Sequence, residues 1–297
     1  MRINPDPTGD ILAALSHSQQ VQEQAMLQLA TGKRVNLPSD DPAAAAAMVG
    51  NQARTAEDDE FVHSISTIRS LQQTADSTLN SVVSALTRAI SIGVEGATGT
   101  LSDSDRASVA EELRGIKQQL LSLANLSFQG SYVFAGTDTQ SAPFVEDGSV
   151  SSGVRYDGNQ GINEVTIGEG FKVAMNVPGS QIFTAPGADV FQSMQDLIYA
   201  MKTNGDIGAG IVEVRAAFDH VTAQRVFYGN NLNQMDSQET FLNNQQLQLA
   251  TQQNALVGVD PTAAASQLAN ATAARSAAVA AVGKVSQLSL FDYLTSR

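Results

Sequence analysis

The chain has 297 residues, 42% hydrophobic but only 5% aromatic, with no Trp and no Cys. A net charge of -13 argues against a nucleic-acid surface, because such affinity rests on Lys and Arg neutralising phosphates. The missing cysteine excludes disulfides and thiolate-bound metal. Abundant Ala, Gln, Ser and Asn suit slender helices better than a thick globule. No run approaches the ~18 apolar residues of a membrane span, and residues 1–10 show no apolar stretch of a cleavable export signal.

Residues 1–41 are expected to form a terminal assembly helix and linker. The helix, over 11–30, has Leu12, Leu15, Met26 and Leu29 on its apolar stripe but Gln19 and Gln22 at its centre. A helix of about 20 residues with so thin a stripe is marginal in water alone. Gly32 is placed to take the left-handed conformation that stops it, and Lys33 and Arg34 suit the negative end of its dipole. Residues 35–40 are expected to be an extended linker. Asp41 as N-cap and Pro42 as first helical residue then start a new helix by two independent signals.

Residues 42–129 are read as one half of a helical rod. The first helix runs from 42 to about 92, with a seam at Ile65, Ile68, Gln72, Ala75, Leu79, Val82, Leu86 and Ala89, and Gly93, Gly96 and Gly99 are expected to break it. Ser102 and Asp105 have the spacing of a capping box, followed by a stripe of Val109, Leu113, Ile116, Leu120 and Leu123. Across 130–186 the period changes to two: Tyr132 and Phe134 alternate with Val133 and Ala135, and Phe171, Val173, Met175 and Val177 with polar or small residues. With turn chemistry at Gly136, Asp157-Gly158-Asn159 and Gly168-Glu169-Gly170, this stretch is expected to be a β-rich insert.

Residues 187–257 supply the other half of the rod. A helix with Val190, Met194, Leu197 and Met201 is followed by a connection over 204–210. The organising element comes next, a helix over 211–256 in which steps of three and four alternate through Ile211, Val214, Phe218, Val221, Arg225, Tyr228, Leu232, Met235, Glu239, Leu242, Gln246, Leu249, Gln253 and Leu256. A heptad seam asks for partner helices wound left-handedly along it. Gly258-Val259-Asp260-Pro261 stops this helix and starts the last, an Ala-rich helix over 262–288 in the terminal segment 258–297. Leu268, Val279, Val282, Val285 and Leu288 are its candidate assembly residues, matching Leu12, Leu15, Met26 and Leu29 at the other end. Both terminal helices are expected to be disordered alone and to fold on assembly.

The fold class is therefore mainly α, an elongated antiparallel helical bundle or coiled coil with a small β-rich insert domain. Its rod seam is expected to centre on Ile65, Ile68, Leu79, Leu113, Leu120, Phe218, Leu232, Leu242 and Leu249. The polar seam residues Arg225, Glu239, Gln246 and Gln253 read as register-setting or partly wet positions, and Glu57-Asp58-Asp59-Glu60 as a solvated face. His17, His63 and His220 form no zinc-binding pair, and no phosphate loop or nucleophile elbow occurs. No enzyme, cofactor or metal is expected.

Leu29-Ala30-Thr31-Gly32-Lys33-Arg34-Val35-Asn36 and Ser39-Asp40-Asp41-Pro42-Ala43 resemble the N-terminal signature of the flagellin family. Gly130-Ser131-Tyr132-Val133-Phe134-Ala135-Gly136, Tyr156-Asp157-Gly158-Asn159, Val177-Pro178-Gly179-Ser180-Gln181-Ile182-Phe183 and Leu288-Ser289-Leu290-Phe291-Asp292-Tyr293-Leu294 resemble that family's branch at the hook-filament junction. The proline-broken start at Asn4-Pro5-Asp6-Pro7 departs from the family pattern. The resemblance implies a structural subunit of the bacterial flagellum, exported unfolded by the type III apparatus and extracellular at the junction of hook and filament. It implies self-assembly into a ring through the terminal helices, with a hook-associated protein on one side and flagellin or other filament-side proteins on the other. It also implies an export chaperone on the C-terminal helix, and Lys33, Arg34, Asp40 and Asp41 pairing across subunits. Neither nucleic acid nor membrane is an expected partner. A short filament flagellin is the alternative within this class, and a secreted coiled-coil effector or adhesin the alternative outside it.

Overall fold

A computed structural model describes residues 8–99 and 101–295, with side chains described for 9, 10, 12–99 and 101–284. The helices are α1 (Thr8–Thr31), α2 (Pro42–Gly96), α3 (Asp103–Ala124), α4 (Gly179–Phe183), α5 (Val190–Thr203), α6 (Ile207–Val257) and α7 (Pro261–Thr295). The strands form four antiparallel pairs: β1 (Ser127–Phe128) with β2 (Ser131–Tyr132), β3 (Phe144–Glu146) with β4 (Val154–Tyr156), β5 (Glu164–Gly168) with β6 (Phe171–Ala174), and β7 (Thr184–Ala185) with β8 (Ala188–Asp189). The fold is mainly α with small strand pairs, as the periodicity predicts. Two compact units divide it, Met1–Glu57 with Gln245–Arg297, and Asp58–Asn244.

In the Asp58–Asn244 unit, the seam of α6 is what its heptad spacing predicts. Val214, Val221, Tyr228, Met235 and Leu242 are buried at intervals of seven, while Phe218, Arg225, Leu232 and Glu239 occupy the alternate, half-buried positions. On α2, Ile65, Ile68, Gln72, Ala75, Leu79, Val82, Leu86 and Ala89 are all buried. Ala75 to Ile92 join one core with Leu113, Ile116 and Leu120 of α3, Met194, Leu197 and Met201 of α5, and the first half of α6. Ile65 and Ile68 join a second, smaller core with Met235 and Leu242, closed by Ile167 and Val173 of the β5–β6 hairpin.

Gly93 and Gly96, expected to break α2, lie inside it. A Cβ at Gly93 would stand 3.0 Å from Ile211 Cγ1, and one at Gly96 would overlap Met201 Cε, so these glycines let α5 and α6 approach. The stop comes at Gly99, whose φ of +70° is the left-handed conformation. Ser102 and Asp105 then form the predicted capping box. α6 begins earlier than the apolar seam suggests, because Ala209 N donates to Asp206 Oδ1 at 2.9 Å and caps the helix there.

The insert is not one run of alternating strands over 130–186. Its pairs begin at Ser127 and end at Asp189, and each is short. Gln129 (φ 50°) and Gly130 (φ 82°) turn the chain so tightly that only Ser131 and Tyr132 pair, leaving Val133 to Gly136 in a turn. Asp157-Gly158-Asn159 is held by a side chain: Asn159 Oδ1 accepts from Thr137 N at 2.8 Å and Gly161 N at 2.9 Å. Gly168-Glu169-Gly170 does make a hairpin, with a bulge between Thr166 and Gly168. The short helix α4, absent from the sequence reading, places Phe183 edge-on against Phe134 and Phe144, each with ring centroids 5.3 Å apart.

Gly179 opens α4 against this aromatic cluster, where a Cβ would stand 2.7 Å from Phe134 O and 2.8 Å from Phe144 Cε2. Gly179→Ala is expected to cost about 1–3 kcal/mol and lower the Tm in a thermal melt. Gly148→Ala, at a position with nothing within 4 Å of the added methyl, is expected to change stability by less than about 0.5 kcal/mol.

Candidate functional site

The candidate assembly region lies in the unit formed by the two chain ends. Gly32 takes a φ of +69° and closes α1, its N–H donating to Gln28 O at 2.9 Å. The linkers after α1 and after α6 then pair as an antiparallel bridge between Lys33 and Gly258. Arg34 N donates to Val257 O at 2.7 Å, and Val259 N to Gly32 O at 3.2 Å. Beneath the bridge, Val35, Ala44 and Val257 form a small core with Met48 and Leu256.

Arg34 does not serve the end of α1, as its sequence position suggests. Its Nη2 donates to Leu256 O at 2.9 Å, capping α6 instead, and to Asp41 Oδ2 at 3.0 Å. Asp41 fills its predicted role, with Oδ1 accepting from Ala44 N at 3.0 Å and Pro42 as the first residue of α2. Residues 35–40 are not extended. Asp40 Oδ2 accepts from Asn36 N at 3.0 Å and Leu37 N at 2.9 Å, which folds the linker into a turn. Both carboxyls are held below the ordinary 3.8, Asp40 by the Leu37 and Asn36 amides and Asp41 by the Ala44 amide and then the Arg34 side chain. Arg34 and Asp41 thus pair within one chain. Lys33 has no carboxylate partner among the described residues.

The terminal helices are folded and packed on one another. The inward positions are Leu15, Ser18, Val21, Gln22, Ala25, Gln28 and Leu29 on α1, and Ala264, Leu268, Ala271, Ala278, Ala281 and Val282 on α7. Ser18 and Ala25 are buried, as are Ala264 and Ala271, so small residues set the closest approach. Ser18 Oγ can be buried because it donates to Leu15 O at 2.9 Å. Gln22 Oε1 accepts from Arg275 Nη1 at 3.1 Å. Leu12 (56% exposed), Met26 (54%) and Val279 (54%), read as part of the same stripe, lie outside it. Met26 and Val279 each stand one residue past an inward position, a rotation of about 100° around the helix. Val285 and Leu288 lie outside the described side chains.

Within Asp58–Asn244, Ile65, Ile68, Leu79, Leu113, Leu120 and Leu242 are buried, Phe218 and Leu232 half-buried; in the other unit Leu249 is buried. The sequence does not reveal how polar groups complete this seam. Arg225 Nε reaches Asp76 Oδ1 at 3.0 Å, and Arg69 pairs with Glu239 and, at 2.8 Å, with Asp236. Gln72 and Asn231, from opposite helices, donate to the same carbonyl, Ala174 O, at 2.8 and 3.2 Å, and so pin the β5–β6 hairpin. Lys117 Nζ, pushed below its ordinary value by burial, donates to Ser152 O and to Gln195 Oε1 at 2.7 Å and ties the other side of the insert to α5. Asp58, expected on a solvated face, is only 4% exposed, because it falls on the seam seven residues before Ile65.

Residues 10–139 match the family of the bacterial flagellin N-terminal helical region, and residues 211–294 that of the C-terminal helical region. Flagellar hook-associated protein 3 of Escherichia coli strain K12 is 30% identical over 289 residues, covering 89% of this chain and 90% of that protein. Its namesake in Salmonella typhimurium is 28% identical over 292 residues with the same shares. Among solved structures, the flagellar junction protein FlgL of Legionella pneumophila superposes with a TM-score of 0.62 at 16% identity, covering 72% of this chain and 100% of that one. Bacillus cereus FlgL gives 0.57 at 22% identity, covering 70% and 99%. At these identities the structures carry the fold.

Because their folded values are depressed, Asp40 and Asp41 stabilise the linker fully above 3.8 and cease to do so as pH falls through their lower folded values. Arg34→Gln is expected to move the Asp41 carboxyl up toward 3.8 and leave Asp40, held by amides, where it is. A carbon-detected NMR titration of the aspartates reads both at once.

Proposed function

The chain belongs to the family of flagellar hook-associated protein 3, and we propose that it is a structural subunit of the bacterial flagellum that joins hook to filament through its terminal helices. The observation that carries this is the division of labour on α1 and α7. Their shared face is built largely of small and polar residues, while Leu12, Met26, Leu27 and Val279 are exposed. Covering one such side chain contributes on the order of 1–2 kcal/mol. A few per subunit, repeated around a ring, suffice to hold neighbours together.

On this reading the subunits form a ring outside the cell between a hook-associated protein and the filament. The bridge between Lys33 and Gly258 ties the two linkers together within the unit of the chain ends. The protein acts mechanically and catalyses nothing, and α7 is the helix an export chaperone holds before assembly. The β-containing insert is tied to the helices by Gln72, Asn231 and Lys117, so it serves as part of a rigid body.

Immunogold electron microscopy of intact flagella, with an antibody against residues 138–185, tests the placement. Label confined to the distal end of the hook is expected. Label along the filament would make the chain a filament flagellin, and its absence from flagella with release into the medium would favour the effector. Met26→Asp combined with Val279→Asp, at two exposed positions, is expected to leave the Tm of the isolated subunit within about 2 °C of the parent. In cells the same variant is expected to shed filaments into the medium, measured as flagellin in the culture supernatant.

A further inference from the structure

A heptad seam repeats itself every seven residues, so sliding one helix along the other by one heptad brings apolar residues back onto apolar residues. The buried residues of α6 between Val214 and Leu242 fall on two heptad rows, Val214, Val221, Tyr228, Met235 and Leu242 on one and Ala217, Asn231 and Gln238 on the other, which leaves the apolar pattern nearly blind to such a slide. The charges on this seam are not blind to it. Asp76 pairs with Arg225, and Arg69 with Glu239, so the cation lies on α6 in one pair and on α2 in the other. The order of these contacts makes the two helices antiparallel.

Sliding α6 one heptad in one direction sets Arg225 against Arg69, which stands seven residues before Asp76. It also leaves Asp76 between Phe218 and Arg225, and Glu239 facing Val62. Sliding it the other way sets Glu239 against Asp76 and Arg225 against Val83. Because the two pairs are seven residues apart on α2 but fourteen on α6, each slide breaks one pair outright, leaves the other only beside a new like charge, and strands a charge on an apolar side chain. The four side chains are 23–32% exposed, so salt screens them less than surface ions. We propose that Arg69, Asp76, Arg225 and Glu239 form a register lock that opposes a one-heptad slide of α6 on α2. The lock rests on the pairing geometry and requires no particular place in a flagellum.

The test exchanges charges without removing them. Asp76→Arg with Arg225→Asp keeps an attractive pair in the native register, but makes the like-charge contact attractive in both slid registers. Reversing all four charges, by adding Arg69→Glu and Glu239→Arg, restores the repulsion. All variants carry Asp236→Asn, since Asp236 also pairs with Arg69. The chain has no cysteine, so Ser77→Cys and Thr222→Cys, at two exposed positions, accept nitroxide labels alone. Double electron-electron resonance then measures the distance between them, and a slide displaces one helix by about 10 Å along the other.

The Asp236→Asn parent is expected to give one distance, the two-residue exchange a second population from the displaced helix, and the four-residue reversal one distance again. A two-residue exchange that keeps the single distance of the parent overturns the lock. If that exchange unfolds the chain, recovery of a single distance in the four-residue reversal supports it, and failure to recover overturns it.

Discussion

Along α6 the inward side chains recur every seven residues, and a helix so patterned cannot bury its stripe without a second helix carrying a matching one. In the Asp58–Asn244 unit α2 supplies the match, and the rest of that unit follows from how far the match extends. Where α3 and α5 also pack, from Ala75 to Ile92 on α2, the seam is apolar and includes Leu79, Val82, Leu86 and Ala89. Beyond them the second core holds Ile65, Ile68, Met235 and Leu242 from the two helices, with Phe61, Val62 and Leu232 half-buried against it, and the β5–β6 hairpin covers what α3 and α5 leave open. The hairpin is thus a structural substitute for a helix, which explains why its Ile167 and Val173 are fully buried in so small an insert.

Polar groups concentrate where the apolar seam is thinnest. Burying an amide or a charge costs more than a hydrogen bond returns unless the partner is well placed. The Gln72 and Asn231 amide nitrogens meet that condition by converging on one carbonyl, though Gln72 Oε1 is buried without a partner among the described residues, and Arg225 meets it by reaching both Asp76 and Asn80. These contacts tie groups far apart in the chain, so their value lies less in net stability than in admitting a single arrangement.

What was legible in the sequence follows the range of the interaction. Caps are local, so Gly32, Asp41 with Pro42, Ser102 with Asp105, and Asp260 with Pro261 mark helix ends that the structure keeps. Long seams are legible because one period persists over many turns. Gly93 and Gly96 were misread because a glycine that admits a neighbouring helix looks the same in sequence as one that ends its own. Arg34 was misread because its acceptors are Leu256, far along the chain, and Asp41, across the turn, and nothing nearby reveals either. In the insert, pairs of two to five residues carry too little periodicity to be placed, and Asn159 and Asn176 shape the loops through their side chains.

The terminal helices are legible only in part, for a more general reason. Of the residues that hydrophobic spacing places on one stripe, Leu15, Leu29, Leu268 and Val282 do face inward, and the closest approach between them is set by Ser18, Ala25, Ala264 and Ala271, which that spacing does not mark. Small side chains let two backbones approach but bury little apolar area, so this pair gains little from its own packing. Four large apolar side chains stand on the outside, at Leu12, Met26, Leu27 and Val279. On the proposed reading such a pair is weak alone and becomes strong when neighbours cover it. Those are the properties a subunit needs if, as proposed, it must be unfolded for export and then hold two different neighbours under load.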